Sequence, residues 1–420
     1  MNHFEMIGGE MHAEQVPLST IAQAVGTPVY VYSTATLQRH ARVYKAGVAK
    51  AGPRTHVAFA VKANPNLAVL RVLANEGFGA DVVSGGEMTR AMAAGIAARD
   101  IVFSGVGKTV AELEQGLDAG IGQFNLELEE EGVVLAGIAA ARGVRAPAVL
   151  RVNPDVDAGT HDKISTGRKE NKFGLPIDQA LDIFDRLAPL KGLNLRGIAV
   201  HIGSQLSSLA PLEAAFERVG ALVGDLRAAG HSITHVDLGG GLGVPYRAGE
   251  VMPSPEEFGE MVARVTAGWD VELQFEPGRA IAANAGMLLT ELLWVKPAIG
   301  DPYVIVDAAM NDLSRVALYD AHHDVSAVKP SGKRFVANVA GPVCESSDVF
   351  AKGREMDEVE RGDLIVLHSA GAYGATMASM YNSRPLVPEV LVSGDRFEVV
   401  AKRVPAEAMM DEEQVPDWLK

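Results

Sequence analysis

The segment HVAFAVKANPNLAVLRVLANEGFGADVVSGGEMTRAMAAGIAARDIVFS, residues 56–104, decides the architecture. It opens on an apolar run (56–61), passes a polar turn carrying Lys62, Asn64 and Pro65, and enters a stretch with apolar residues at helical spacing (67–75). Gly77 ends that pattern. The cycle then repeats with a strand-like run at 80–83, a helix-like stretch at 86–94, Gly95 and a third run at 101–104. Short apolar runs separated by stretches of helical period are the pattern of parallel β/α units, in which each helix returns the chain to start the next strand beside the last.

The same rhythm extends outward from this segment. Further strands are expected at 124–127, 148–152, 197–202, 235–238 and 271–275, and helices at 110–119, 129–141, 176–187, 209–229 and 255–267. Eight alternations fit a (β/α)8 TIM-type barrel. An open doubly wound sheet gives the same alternation, so the count leaves both open, with the barrel preferred. Pro176 and Pro255 stand where a first-turn proline is tolerated, and Gly77, Gly95 and Gly120 where helix C-caps belong. After residue 280 the rhythm is lost. Runs at 287–295, 303–306, 335–339, 364–368, 389–392 and 397–401 read as strands without regularly spaced helices, which suggests a mostly antiparallel β domain. The run 29–32 is a further strand of either domain. The expected fold class is therefore α/β plus β, with a (β/α)8 barrel at 36–280 and a β-sandwich or β-barrel-like domain made from 1–35 and 281–420.

Composition narrows the function classes. Hydrophobic residues are 48% and charged residues 22% of the 420, which excludes disordered and collagen-like chains. Lys and Arg number 38 against 53 Asp and Glu, and a net charge of −15 repels phosphate backbones and anionic lipid. No nucleic acid and no membrane partner is expected. Cys344 is the single cysteine, which excludes an intrachain disulfide and a multi-cysteine metal site and suits a reducing cytoplasm. Residues 1–20 lack the basic start and apolar run of a signal peptide. No apolar stretch reaches the roughly 20 residues of a spanning helix.

In a parallel barrel the chemistry sits at the C-terminal ends of the strands. Lys62 follows the first strand, Asp81 and Ser84 close the second, Asn125 lies in the fourth, and Arg151 and Asn153 close the fifth. His201 and Ser204 close the sixth, Asp237, Gly239, Gly240, Gly241 and Gly243 the seventh, and Glu276, Pro277, Gly278 and Arg279 the eighth. Each residue alone has a bland reading as a turn former, a solvated lysine or a hydrogen-bonded buried histidine. Together they have chemistry in common. A lysine in a partly dry mouth can act as a Schiff-base amine. Glycines expose converging N–H groups to an anion, with no Cβ to block the approach. No phosphate-binding Lys-Ser/Thr pattern and no GxGxxG occurs at the right place, so a small phosphorylated cofactor fits better than ATP or NAD. An acid, Glu276, able to keep a pyridinium protonated, and His201, able to stack on a ring face, point to pyridoxal 5′-phosphate.

These motifs resemble the fold-type III pyridoxal phosphate decarboxylases, most closely their diaminopimelate branch. The resemblance rests on FAVKAN (59–64), HIGSQ (201–205), DLGGGLG (237–243), EPGR (276–279), MNDLSRVALYDAHH (310–323), GPVCESSD (341–348) and AGAYG (370–374), with RVNPDVDAGTHDKISTG (151–167) and NKFG (171–174) typical of that branch. It implies an alanine racemase-like pairing of barrel and β domain, and a homodimer with active sites shared at the interface. It also implies decarboxylation of meso-2,6-diaminopimelate to L-lysine and CO2, with Lys62 as the cofactor lysine, Cys344 as proton donor, and His201 and Glu276 on the ring. Asp81, Ser204, Gly239, Gly240, Gly241, Pro277, Gly278, Arg279 and Tyr373 would complete the cofactor site. Arg279, Arg315, Tyr319, Glu345 and Tyr373 would contact the substrate. Rival readings are a decarboxylase of ornithine, arginine or another modified amino acid, a non-catalytic cofactor-binding protein, and an amino-acid racemase. Two departures are visible: His235 where relatives often carry Asn, and Leu128 where Ser is common.

Overall fold

Eight parallel strands close on themselves. Thr55–Ala60, Gly79–Val82, Ile101–Phe103, Gln123–Leu126, Ala146–Asn153, Leu193–Val200, His235–Asp237 and Glu272–Phe275 each pair with the next. The eighth returns to the first through Leu273 with Thr55, Gln274 with His56 and Phe275 with Val57. That last register separates a barrel from an open sheet. The computed structural model describes residues 2–157 and 172–419. It divides into two units: Gln38–Val244 with Val251–Ile281, and Met1–Leu37 with Pro245–Glu250 and Ala282–Lys420.

Strand alternation sorts the barrel's side chains. Phe124 and Phe103 stack with ring centroids 6.4 Å apart, while Gln123 and Asn125, on either side of Phe124 in sequence, are buried and hydrogen-bonded to each other. Likewise Phe275 meets Phe258 of the helix Pro255–Val265 edge-on at 6.0 Å. The helices start on local signals. Asn66, Ser84, Thr109 and Ser254 each cap a helix with a side-chain oxygen, and Thr109–Glu112 and Ser254–Glu257 form reciprocal capping boxes. Pro255 occupies a first-turn position as expected. Pro176 does not. With Leu175 it forms a short strand beside Val152 and Asn153, and the helix begins only at Ala180, after a 3-10 turn at Ile177–Gln179. The extended backbone of Pro176 (φ −54, ψ 131) places it before that turn rather than inside the helix.

The second unit is built on a mixed sheet ordered Val349–Asp357, Arg334–Ala340, Tyr303–Val306, Gly286–Lys296, Val29–Ser33, Glu389–Ser393, Arg396–Ala401. Leu364–Leu367 pairs with Gly286–Lys296 and with Val325–Ala327. Most pairings are antiparallel; two are parallel, and one of these joins Val29–Ser33 to Glu389–Ser393. The early strand thus belongs to this sheet. A hairpin, Phe4–Ile7 with Glu10–Ala13, was not expected, nor was Val349–Asp357, whose sequence carries Lys352, Gly353 and Arg354 in place of an apolar run. Ala13, Leu18, Ile21, Val29, Val31, Met287, Leu289, Val366 and Val390 form the core. Among the described residues no helix is long and apolar enough to cross a membrane.

One cap is missing. The helix Glu129–Ala141 starts after Leu128, which makes no side-chain cap hydrogen bond and is 47% exposed. Three glutamates in its first turn leave the N–H groups favourably placed near negative charge but unbonded by a cap. Leu128→Ser should therefore stabilise the chain by about 1 kcal/mol, read as a higher denaturant midpoint at unchanged slope. A lower midpoint would show that the exposed leucine contributes packing that outweighs the cap.

Candidate active site

Lys62 lies in the 3-10 turn Val61–Ala63 directly after the first strand, its side chain 40% exposed at the barrel mouth. Its Nζ forms an ion pair with Asp81 Oδ2 at 2.7 Å. Asp81 is fully buried in the second strand, and its Oδ1 has no hydrogen-bond partner. Two more carboxyls stand nearby, Asp237 buried and Glu276 half-buried just after the eighth strand. Asp237 Oδ1 accepts from the Gly239 N–H at 2.9 Å, and Oδ2 accepts from Asn125 at 3.2 Å and Gln123 at 3.3 Å. Asn125 Nδ2 also reaches Glu276 Oε1 at 3.3 Å and Ser104 Oγ at 3.0 Å. Burial pushes the Asp237 carboxyl up to about 6. Burial first, and then the neighbouring Asp237 and Asp81, hold Glu276 well above the usual carboxylate range.

His201, after the sixth strand, accepts the Gly240 N–H on Nδ1 at 3.2 Å, which leaves Nε2 to carry the hydrogen of the neutral ring. Burial, helped by the cations Arg151 and Lys62, pushes it down to about 3. Arg151 is paired with Glu127 at 2.5 Å, and Glu127 also accepts from the Gly105 and Gly174 N–H groups. Arg279 turns back on Ser204, donating from Nε and Nη2 to its hydroxyl, each at 3.1 Å.

The glycine run serves packing more directly than ligand approach. A Cβ on Gly239 would stand 2.5 Å from the Val200 carbonyl oxygen, on Gly240 2.4 Å from that of Glu276, on Gly241 2.6 Å from that of Gly203, and on Gly243 2.6 Å from that of Leu206. Gly239 (φ +64) and Gly241 (φ +115) also occupy the left-handed region. The loops after the sixth, seventh and eighth strands can therefore lie against one another only because these positions lack side chains. Their contact is sealed by Glu276 N–H to the Gly239 carbonyl at 2.7 Å and Ala60 N–H to the Pro277 carbonyl at 3.1 Å. The Gly241 and Gly278 N–H groups donate to no protein acceptor among the described residues.

This arrangement fits a flat cationic ring with an anionic tail. Two buried carboxyls, Asp81 and Asp237, and the half-buried Glu276 gather near one lysine, one carboxyl oxygen is orphaned, and uncommitted backbone N–H groups stand beside a serine and an arginine. A cation at Glu276 relieves the carboxyl repulsion, and an oxyanion suits the loop N–H groups. A separate cavity of about 660 Å³ opens at the opposite, N-terminal end of the strands, lined by His56, Arg196, His235 and Glu272 among others. His235 meets Glu272 there at 3.2 Å, and burial with Arg196 pushes it down to about 4. The departure at His235 is thus remote from the mouth.

The other candidates lie in the second unit. Arg315 opens the short helix Arg315–Tyr319 and is buried, with its guanidinium carbon 4.8 Å from the centre of the Tyr246 ring. Cys344 and Glu345 are exposed on one loop. Glu345 accepts from the Tyr381 hydroxyl and from Ser347 at 3.1 Å, and the Tyr381 hydroxyl is held above its usual range by that carboxylate. The loop is anchored by buried Asp348, whose oxygens accept the Met310 and Val343 N–H groups at 2.7 Å each. Tyr373 takes a positive φ of 56°. Sequence reasoning missed Ser104, Gln123, Asp348 and the buried pair Lys108–Glu131 at 2.7 Å. The alternation QFNL at 123–126 could have marked Gln123 and Asn125 as a polar inward face. Residues 158–171, which include part of the branch-typical run, lie outside the described residues.

Comparison with known proteins places this geometry in context. The family model for the pyridoxal-dependent decarboxylase, pyridoxal binding domain, matches residues 35–283. The diaminopimelate decarboxylase of Zymomonas mobilis is 50% identical over 418 residues, covering 99% of each chain. The crystal structure of diaminopimelate decarboxylase from M. jannaschii in co-complex with L-lysine superposes with a TM-score of 0.96 at 35% identity, covering 100% of both chains. That from Helicobacter pylori complexed with L-lysine gives 0.90 at 39% identity over 94% of this chain and 98% of that one.

The desolvated, half-buried imidazole makes a pH prediction. With a folded pKa of about 3 against 6.5 for a free ring, the unfolded chain binds more protons at His201 between those values, so stability falls as pH drops through that window. In the cofactor-free protein, His201→Gln should lose less stability than the parent between pH 6.5 and 4.5, by on the order of 2 kcal/mol, in denaturant titrations at the two pH values. Equal losses would mean that His201 is protonated in the folded chain.

Proposed function

Because this chain belongs to the diaminopimelate decarboxylase family of pyridoxal-dependent enzymes, we propose that it converts meso-2,6-diaminopimelate to L-lysine and CO2, the last step of lysine biosynthesis. The observation that carries this reading is the half-buried acid Glu276, held well above the usual carboxylate range by desolvation and by the neighbouring Asp237 and Asp81, with Lys62 among its charged neighbours. Pyridoxal 5′-phosphate, bound there, supplies a cationic ring that takes up the electron pair released when a Cα–carboxylate bond breaks.

The chain's own residues have separate tasks. Lys62 Nζ would hold the cofactor through its aldehyde carbon, with Asp81 keeping the amine in place. Glu276 would keep the ring nitrogen protonated. His201, neutral and planar, would support the ring face. Ser204, Gly239, Gly240, Gly241, Gly278, Arg279 and Tyr373 hold the phosphate, with Pro277 tying their loop to the first strand. One carboxylate leaves as CO2 and one proton enters at Cα, delivered from Cys344 Sγ. Arg279, Arg315, Tyr319 and Tyr373 take the substrate's distal carboxylate by charge-assisted hydrogen bonds, and Glu345 takes the distal ammonium. The barrel, 36–280 apart from Pro245–Glu250, which groups with the other unit, is the cofactor-binding part, with 1–35 and 281–420 as its β domain.

We further propose a cytoplasmic homodimer with shared sites. The exposure of Cys344 and Glu345 on an anchored loop supports their presentation to a second subunit, and the single cysteine supports a reducing compartment.

Product assays test the activity. Purified protein supplied with pyridoxal phosphate should release lysine and CO2 from meso-diaminopimelate, and should reject ornithine by at least roughly a hundredfold in kcat/KM, because a buried arginine left without its carboxylate is penalised. Comparable rates on ornithine or arginine would promote the rival decarboxylase reading. The shared site makes a second prediction. Lys62→Ala and Cys344→Ala are each expected to be inactive, and mixing them should restore up to about half of the parent activity per heterodimer, since one of two sites regains both residues. Heterodimers that form and stay inactive would place both residues in one chain's site.

A further inference from the structure

His323 is fully buried and bonded on both ring nitrogens. Its Nδ1 lies 2.7 Å from the His368 carbonyl oxygen, and its Nε2 lies 3.0 Å from Arg315 Nη1. A carbonyl only accepts and a guanidinium only donates, so the geometry admits one form of the ring: hydrogen on Nδ1, lone pair on Nε2, no net charge. The ring is itself clamped. Tyr246 meets it edge-on at 5.6 Å and 82°, and the same Tyr246 lies under the Arg315 guanidinium. The His368 N–H donates to the Asp324 carbonyl at 2.9 Å, which holds the acceptor that orients His323. Arg354 Nη1 binds the His323 carbonyl at 3.2 Å.

We propose that His323 is a positioning residue for substrate selection: through the lone pair on Nε2, and with Tyr246 as a floor, it fixes the Arg315 guanidinium in the orientation that receives the substrate's distal carboxylate. This rests on the assignment of Arg315 made above. Arginine's planar fork distinguishes carboxylates only if its plane is set before the substrate arrives, and a neutral acceptor sets it without competing for its charge. A carboxylate in the place of His323 would neutralise the arginine. A protonated imidazole would repel it.

Substitutions that keep one ring function at a time test this. Asparagine at position 323 can retain a donor near Nδ1 but loses the acceptor at Nε2, whereas glutamine can place an amide oxygen there. His323→Asn should raise KM for meso-diaminopimelate about tenfold while kcat changes less than about threefold, with the cofactor's visible absorbance retained. His323→Gln should restore most of the lost KM. Adding His323→Asn to Arg315→Ala should raise KM no further than Arg315→Ala alone. An unchanged KM in His323→Asn alongside a raised one in Arg315→Ala overturns the positioning role and leaves the arginine assignment standing. An unchanged KM in Arg315→Ala overturns both. Nitrogen-15 spectra of the unmodified holoenzyme, with the His323 ring assigned through its sequential backbone connectivities, should show Nδ1 protonated and Nε2 bare, and the opposite tautomer overturns the proposal even if no variant folds.

Discussion

The barrel must keep carboxyl groups in its interior where water is scarce. Removing a carboxylate from water costs several kcal/mol, and a second one nearby adds repulsion. Asp237 and Glu276 survive there because Asn125, Gln123, Ser104 and a loop N–H supply hydrogen bonds to them, and because desolvation and repulsion from neighbouring carboxyls hold both above the usual range. The polar layer that results is poor core material. Its presence in the middle of a packed barrel makes sense only if a positive group completes it, and the site's remaining parts serve to bring that group in.

Loop proximity is the second requirement. Four glycines let three successive loops touch where any Cβ would strike a carbonyl oxygen, so His201, Ser204, Arg279 and Glu276 come from adjacent loops at one rim. The energetic cost of glycine in an unfolded chain is accepted here because no other residue permits the approach. In the β domain a single buried aspartate, Asp348, performs the corresponding task by tying two backbone N–H groups and so shaping the loop that carries Cys344.

Much of this is legible without coordinates because the barrel's signals are local. Its strands are apolar runs, its helices begin on Asn66, Ser84, Thr109 and Ser254, and Gly77, Gly95 and Gly120 all take positive φ at helix ends. Pro176 misleads because its fixed φ suits an extended residue as well as a first helical turn. The strand Val349–Asp357 is hidden by its charged residues, and the place of Val29–Ser33 in the sheet depends on partners more than two hundred residues away. Within the site, motif residues stand out, whereas Gln123 and Ser104 are ordinary polar residues until the barrel curls them towards Asp237 and Asn125. Nor can a sequence say which nitrogen of His323 carries the hydrogen, since a carbonyl 45 positions away decides it.

The lone exposed thiol bears on how the protein withstands oxidants. A cysteine oxidised to sulfenic acid is normally rescued by a neighbouring thiol, which captures it as a disulfide before further oxidation makes the damage permanent. Cys344 has no such neighbour anywhere in its chain. Recovery must come from a thiol outside this chain, on a second copy, a small thiol or a reductase, so durability under peroxide depends on what meets Cys344 from outside its own chain.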